Sequence, residues 1–142
     1  MKNEIIIFEE EDIKLEVSLQ DETVWLNQAQ MAELFQKGRS TITEHINNIL
    51  KDGELEEEEV CRKVRHTTQH GAINGKEQEV KTTFYNLDMI ISVGYRVKSK
   101  RGIAFRRWSA KVLKEYLMRG YAVNQPRLDY LEKTVKMKVK FK

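Results

Sequence analysis

The segment Val24–Lys51, VWLNQAQMAELFQKGRSTITEHINNILK, decides the fold because it predicts two short helices joined by a four-residue turn. Asn27 is placed to cap the first helix, and Gln30 can reach back to the Asn27 backbone N–H. Thr41 and Glu44 repeat this pattern, which predicts that Thr41 caps the second helix. The spacing is typical of a helix-turn-helix, in which the second helix enters the DNA major groove. DNA binding is therefore the starting hypothesis.

The second predicted helix, roughly Ile42–Leu50, has one apolar face and one polar face. Its apolar residues follow the i, i+4, i+7, i+8 spacing of a helix that is buried on one side. The polar face suits base recognition, since Asn pairs with adenine and Glu accepts from cytosine N4. The predicted base-reading residues are Ser40, Thr41, Glu44, His45 and Asn48. The solvated face of an ordinary surface helix remains the alternative.

Charge is distributed unevenly along the chain. Residues 1–60 carry 5 Lys+Arg and 16 Asp+Glu, a net charge of −11, whereas residues 61–142 carry 20 and 6, a net charge of +14. This asymmetry suggests a polyanionic partner for the basic half. Two oppositely charged faces that pack together would give the same pattern.

The basic half contains two clusters suited to binding phosphate groups. The segment Arg96–Arg107, RVKSKRGIAFRR, holds six Lys or Arg residues and no acid, at a predicted helix start that favours anions. The second cluster lies on a predicted hairpin and comprises Arg62, Lys63, Arg65, His66 and Lys81. The predicted phosphate-binding residues are Arg39, Lys51, Arg62, Lys63, Arg65, Arg101, Arg106 and Arg107. Solvated charge runs are the alternative.

The remaining pattern predicts an α+β fold. Alternating apolar residues and turn signals predict five strands, at Ile5–Phe8, Ile13–Leu19, Thr23–Leu26, Val60–Thr68 and Glu79–Tyr85. The last two form the basic hairpin, with a tip at roughly Gln69–Gln78. Two C-terminal helices follow, one capped by Asn86 and one at about Ile103–Arg119, separated by a break at Val97–Gly102. We predict an N-terminal β-meander, a winged helix-turn-helix and C-terminal helices within residues 1–131, and a basic tail at 132–142.

Other classes of function have little support in the residues. Cys61, His66 and His70 form a cluster of soft metal ligands, but a structural zinc site needs a fourth ligand. No nucleotide-binding, nucleophile-elbow or metalloprotease motif occurs. We therefore expect no enzymatic activity, no cofactor, no metal site and no small-molecule substrate. One cysteine and the lack of a long apolar run lead us to expect a cytoplasmic protein without membrane contact.

Four stretches resemble the RhuM family of virulence-associated bacterial proteins: TVWLNQAQMAELF, STITEHINNILKDGEL, TTFYNLDMIISVGYRVKSKRG and FRRWSAKVLKEYLMRGYAVN. The resemblance covers about Glu4–Leu131. More remotely, Phe105, Arg106 and Trp108 match the Phe-Arg-x-Trp helix of Bro-type phage antirepressor N-terminal domains. Relatives usually continue into a second domain, so a shortened copy is one expectation for a chain that ends at Lys142.

The resemblance implies DNA binding, often encoded near mobile elements. Together with the residues, it leads us to expect a double-stranded DNA-binding protein, a transcriptional regulator linked to a mobile element or virulence locus. A homodimer is expected because one short helix reads few base pairs. The alternative is a protein–protein interaction module whose basic face docks an acidic partner.

Overall fold

The computed structural model describes residues 4–10, 12–69 and 77–119 and shows an α+β fold, as predicted. The strands are β1 (Glu4–Glu10), β2 (Ile13–Gln20), β3 (Thr23–Asn27), β4 (Cys61–Gln69) and β5 (Glu77–Asn86). The helices are α1 (Gln28–Phe35), α2 (Arg39–Lys51), α3 (Glu57–Val60), α4 (Leu87–Val97) and α5 (Lys100–Arg119). The strands form one antiparallel sheet in the order β1-β2-β3-β5-β4. None of the helices in the described segments is long and apolar enough to span a bilayer.

The chain divides into two compact units. One comprises the described residues of Met1–Val24 and Ala104–Lys142, and the other is Trp25–Ile103. In the first unit β1 and β2 form an antiparallel hairpin with Phe8 opposite Leu15. The inward residues of β2 are at most 4% exposed, which confirms the predicted half-buried strand: Ile13, Leu15, Val17 and Leu19.

Aromatic contacts join this hairpin to α5 within the first unit. The Phe8 ring packs edge-on against Phe105, with centroids 5.2 Å apart, and against Trp108 at 5.3 Å. Such pairs add roughly 0.5–1.5 kcal/mol beyond the burial of their area. The core of this unit is therefore built from residues at opposite ends of the described sequence.

Ser109 on α5 is a buried polar residue of this unit. It is 0% exposed, and no hydrogen-bond partner for its hydroxyl occurs among the described residues. Replacing Ser109 with alanine removes an unpaired polar group and adds no volume, so we expect the free energy of unfolding to rise by about 1 kcal/mol. Urea denaturation followed by tryptophan fluorescence measures this, with the exposed Ser40→Ala as control. A loss of stability in Ser109→Ala would contradict the expectation.

In the second unit, α1 begins directly after its predicted cap, Asn27. Asn27 Oδ1 accepts from the Gln30 N–H at 2.8 Å, and Gln30 Oε1 accepts from the Asn27 N–H at 2.8 Å, so the predicted capping box is confirmed. At its other end Gln36 adopts the left-handed conformation with φ 56°. The Lys37 N–H then donates to the Ala32 carbonyl oxygen at 3.0 Å and closes the last turn.

The prediction that Thr41 caps the second helix is wrong. α2 begins at Arg39 with Gly38 as its N-cap, and the Ile42 N–H donates to the Gly38 carbonyl oxygen at 3.2 Å. Gly38 has the extended backbone of an N-cap, with ψ 154°. The left-handed Gln36 ends α1 only two residues earlier, so the turn is short and α2 begins two residues before Thr41. Thr41 is consequently inside the helix.

The predicted hairpin is confirmed. β4 and β5 pair antiparallel from Cys61 opposite Tyr85 to Gln69 opposite Glu77. Val60, predicted to start the first of these strands, instead ends the short helix α3. Most of the predicted tip falls at positions 70–76, outside the described residues.

The C-terminal helices differ from the prediction at the break between them. Asn86 caps α4 as predicted, since its Oδ1 accepts from the Met89 N–H at 3.2 Å. Lys98, with φ 53°, ends α4, and Ser99 Oγ accepts from the Gly102 N–H at 3.4 Å. The break predicted at Val97–Gly102 is therefore too long, because Ser99 caps a helix that already begins at Lys100. The predicted tail at 132–142 lies outside the described residues.

Candidate nucleic-acid interface

Helix α2 buries one face and exposes the opposite one. Ile42, Ile46 and Ile49 are at most 1% exposed, which confirms the predicted apolar face. The predicted base-reading residues divide into two groups: Ser40, Glu44 and Asn48 are exposed, whereas Thr41 and His45 are half-buried. Lys51 is exposed at the end of the helix. The centre of the polar face is thus accessible to a partner.

A chain of hydrogen bonds joins α2 to the β4–β5 hairpin. The Thr43 hydroxyl donates to Gln28 Oε1 at 2.9 Å, and Gln28 Nε2 donates to the Tyr85 hydroxyl oxygen at 3.2 Å. The Thr43 hydroxyl also lies 2.9 Å from the Arg39 carbonyl oxygen. Burial raises the pKa of Tyr85, so its hydroxyl stays protonated at neutral pH. Gln28, the first residue of α1, therefore links α2 to β5.

The strand register decides which cations share a face with Tyr85. Side chains alternate along a strand, and directly opposite residues of an antiparallel pair share a face. Lys81 is opposite Arg65, and Lys63 is opposite Thr83. Counting alternate positions from Tyr85 places three exposed cations on its face, together with the exposed Glu79, and we call the three the hairpin cations: Lys63, Arg65 and Lys81. They lie on the face that is hydrogen-bonded through Gln28 to α2.

A groove of about 370 Å³ lies between the start of α2 and strand β5, and we call it the α2–β5 groove. Its described lining consists of Gln28, Arg39, Val80, Lys81, Thr82 and Thr83. Arg39 and Lys81 contribute a positive charge from each wall. The groove therefore brings the predicted phosphate-binding Arg39 together with one of the hairpin cations.

Arg62 lies on the opposite face of the hairpin. It is opposite Phe84 in the register, and its guanidinium carbon lies 4.4 Å from the centroid of the Trp25 ring. A cation over an aromatic face gains roughly 0.5–2 kcal/mol. Arg62 thus packs on Trp25 and does not share the face of the hairpin cations, although the sequence places it beside Lys63.

The predicted cluster at Arg96–Arg107 is also divided. Arg96 Nη2 lies 3.0 Å from Glu54 and 3.6 Å from Asp52, and its hydrogen bond to Glu54 lowers the pKa of that carboxyl. Arg101 Nη1 donates to the Glu33 carbonyl oxygen at 3.4 Å. Two more predicted phosphate-binding residues, Arg106 and Arg107, are exposed on the part of α5 that belongs to the other unit.

Cys61 has the environment of a structural thiol. Its burial, with a further contribution from Glu57, raises the pKa of Cys61 to about 11. The thiol is therefore protonated at neutral pH and is a poor nucleophile and metal ligand. Among the residues that the structure describes, no group of three or more His, Cys, Asp or Glu side chains is placed to hold a metal ion. His70 of the predicted cluster lies outside those residues.

The residues that join α2 to the β4–β5 hairpin were not predicted from the sequence. Gln28 and Tyr85 are 57 positions apart, so no local pattern indicates their hydrogen bond. Thr43 was overlooked because a threonine on the side of a helix is ordinary in sequence. The sequence around Thr82 and Thr83 indicated a strand but no binding role for either residue.

The comparison with protein-family models gives a match that covers more than half of the chain. The family model described as Virulence protein RhuM family matches residues 59–140, which confirms the predicted resemblance. Within the described residues this range includes β4, β5, α4 and α5, whereas α1 and α2 precede it. No curated protein and no solved structure shows significant similarity to the chain. The remoter resemblance to Bro-type antirepressors stays a prediction.

Proposed function

We propose that this chain, which belongs to the virulence protein RhuM family, binds double-stranded DNA through α2 and the β4–β5 hairpin. The observation that carries the proposal is the Thr43–Gln28–Tyr85 hydrogen-bond chain, because it connects α2 to the face of the hairpin cations. In this proposal α1 and α2 form a helix-turn-helix with α2 in the major groove, and the hairpin is the wing. The pairing of β3 with β5 supports the wing from its other side.

Base reading is assigned to the exposed centre of α2. Ser40, Glu44 and Asn48 offer the hydroxyl, carboxylate and amide groups that recognise base edges. Thr41 and His45 are half-buried, so they are less accessible to a partner than the exposed residues of the helix. Asn47 is exposed and lies one turn after Thr43, on the hairpin side. We therefore add Asn47 to the base-reading set and give Thr41 and His45 lesser roles.

Affinity is assigned to Arg39 and the hairpin cations. If each of these four groups neutralises one phosphate, the slope of log K against log salt contains a contribution of about −3.6 from them. Arg65 is 3.5 Å from Glu79, but both side chains are 63% exposed. An exposed ion pair of this kind adds little stability, so Arg65 can exchange Glu79 for a phosphate at small cost.

The biological role proposed is that of a transcriptional regulator linked to a mobile element or virulence locus, acting as a homodimer. A single copy of α2 reads few base pairs, and a dimer would read two half-sites about one helical turn apart. Oligonucleotides selected from a random pool would show this as two repeats of one short motif. A single motif without a repeat would contradict the dimer.

The Asn48→Ala variant tests base reading by α2. Loss of a bidentate amide contact should reduce discrimination at one base pair by about 1–3 kcal/mol and leave the salt slope unchanged. Affinities for the selected duplex and for its single-base variants measure this, with Asn47→Ala as the neighbouring comparison. Unchanged base preference in both variants would remove α2 from the reading role.

A salt titration separates DNA binding from the alternative of a protein-interaction module. Preference for duplex over heparin at equal charge, with affinity that falls steeply as salt rises, supports the proposal. Equal affinity for heparin and duplex supports a basic docking face with no specificity for DNA.

A further inference from the structure

The α2–β5 groove lies along an edge of β5 that β3 leaves uncovered. The pairing of β3 with β5 ends at Asn27 opposite Phe84, and the lining residues at positions 80–83 lie beyond it. Consecutive strand residues point to alternate faces. A groove lined by four consecutive residues therefore runs along the strand edge and is not confined to one face.

The lining of this groove suits an anion. Arg39 stands on the α2 side and Lys81 on the β5 side, and both residues are exposed. The amide of Gln28 and the hydroxyls of Thr82 and Thr83 are neutral polar groups, and the described lining includes no carboxylate. Arg39 is also the first residue of a 13-residue helix, whose N-terminal end carries a partial positive charge.

We infer that the α2–β5 groove holds one backbone phosphate of a bound duplex, so that one DNA strand passes between α2 and the hairpin. The inference rests on the proposed function and adds to it the binding site of one particular phosphate. A volume of about 370 Å³ is that of roughly a dozen water molecules, which accommodates a phosphate with parts of its flanking sugars. Arg39 and Lys81 neutralise the phosphate from opposite walls.

The lining favours a phosphate over an added peptide strand, although both could occupy a strand edge. Peptide strands that extend a sheet gain specificity from apolar pockets for alternate side chains. Val80 is the one apolar residue of the described lining, against two cations. The charge of the groove therefore matches a phosphodiester better than a peptide.

The test couples the protein cations to individual DNA phosphates. Each phosphate of the selected duplex is replaced in turn by an uncharged methylphosphonate, and affinity is measured for the wild type and for Arg39→Gln/Lys81→Gln. The matched control is Lys14→Gln/Arg119→Gln, which removes two exposed cations of the other unit. Thermal unfolding by circular dichroism verifies that both double variants fold.

We expect one position in each recognition site at which methylphosphonate lowers the duplex affinity of the wild type and of the control about tenfold. The affinity of Arg39→Gln/Lys81→Gln should not change at that position. Equal sensitivity of all three proteins at every position would overturn the inference and leave DNA binding intact. Tighter capture of an extended neutral peptide than of duplex by the wild type would also overturn it. Absence of duplex preference over heparin in the wild type would overturn the proposed function itself.

Discussion

Replacing Arg39, Lys63, Arg65 and Lys81 together by glutamine is expected to lower the affinity for duplex DNA about a thousandfold at about 0.15 M salt. Each cation that no longer neutralises a phosphate reduces the magnitude of the salt slope by about 0.9, hence by about 3.6 for all four. The contribution of these four contacts vanishes at about 1 M salt. Between that concentration and about 0.15 M, the affinities of the wild type and the variant therefore diverge by about three orders of magnitude. Fluorescence anisotropy of a labelled duplex over a sodium chloride series measures both quantities.

Two control variants distinguish the interface from net charge. The charge-conserving set Arg39→Lys, Lys63→Arg, Arg65→Lys and Lys81→Arg should keep the salt slope. Glutamine at four exposed cations of the other unit should change it much less: Lys14, Lys111, Lys114 and Arg119. If both glutamine sets lower the affinity equally, the binding reflects overall charge, and the face of the hairpin cations is not the interface.

Replacing Phe35 by alanine is expected to lower the free energy of unfolding by about 3–5 kcal/mol. Phe35 is 3% exposed at the end of α1, and its ring lies against two glycines. A Cβ added at Gly94 would lie 3.3 Å from the ring, and one added at Gly102 would lie 3.2 Å from it. Alanine would leave a cavity at a place where α4 and the start of α5 approach α1 closely. Urea denaturation monitored by circular dichroism measures the loss.

A double-mutant cycle with Gly94→Ala tests the contact itself. In the wild type the new methyl group must displace the Phe35 ring, which offsets the gain of about 1 kcal/mol in helix propensity. With Phe35→Leu the methyl group has room, so Gly94→Ala should then stabilise the protein. Additive effects of the two substitutions would contradict this packing, as would a loss below about 1 kcal/mol in Phe35→Ala.

Where the determinants were local, the sequence predicted the structure closely. The start of α1 followed from the Asn27–Gln30 capping box, which spans three positions. β2 followed from strict alternation of apolar and polar residues. The start of α2 was mispredicted because Thr41 has the chemistry of an N-cap, whereas the turn geometry at Gln36 and Gly38 had already started the helix.

The candidate interface was predicted in part. The sequence indicated the apolar and polar faces of α2 and the basic hairpin, because both follow from residue spacing. It could not tell which of Arg62 and Lys63 lies on the side of α2, since that depends on which hairpin face turns toward Trp25 and which toward α2. It also gave no sign that Arg96 is paired with Asp52 and Glu54.

By itself, the sequence determined most of the elements, the N-caps of α1 and α4 and the amphipathic faces, because these depend on hydrogen bonds and periodicities that span a few residues. The tertiary structure alone decided which charged side chains lie on the same face of the hairpin and which line the same groove. The Gln28–Tyr85 hydrogen bond, the register of β4 on β5 and the α2–β5 groove join residues far apart in the chain. Such contacts depend on how whole elements pack against each other, and no single stretch of sequence contains that information.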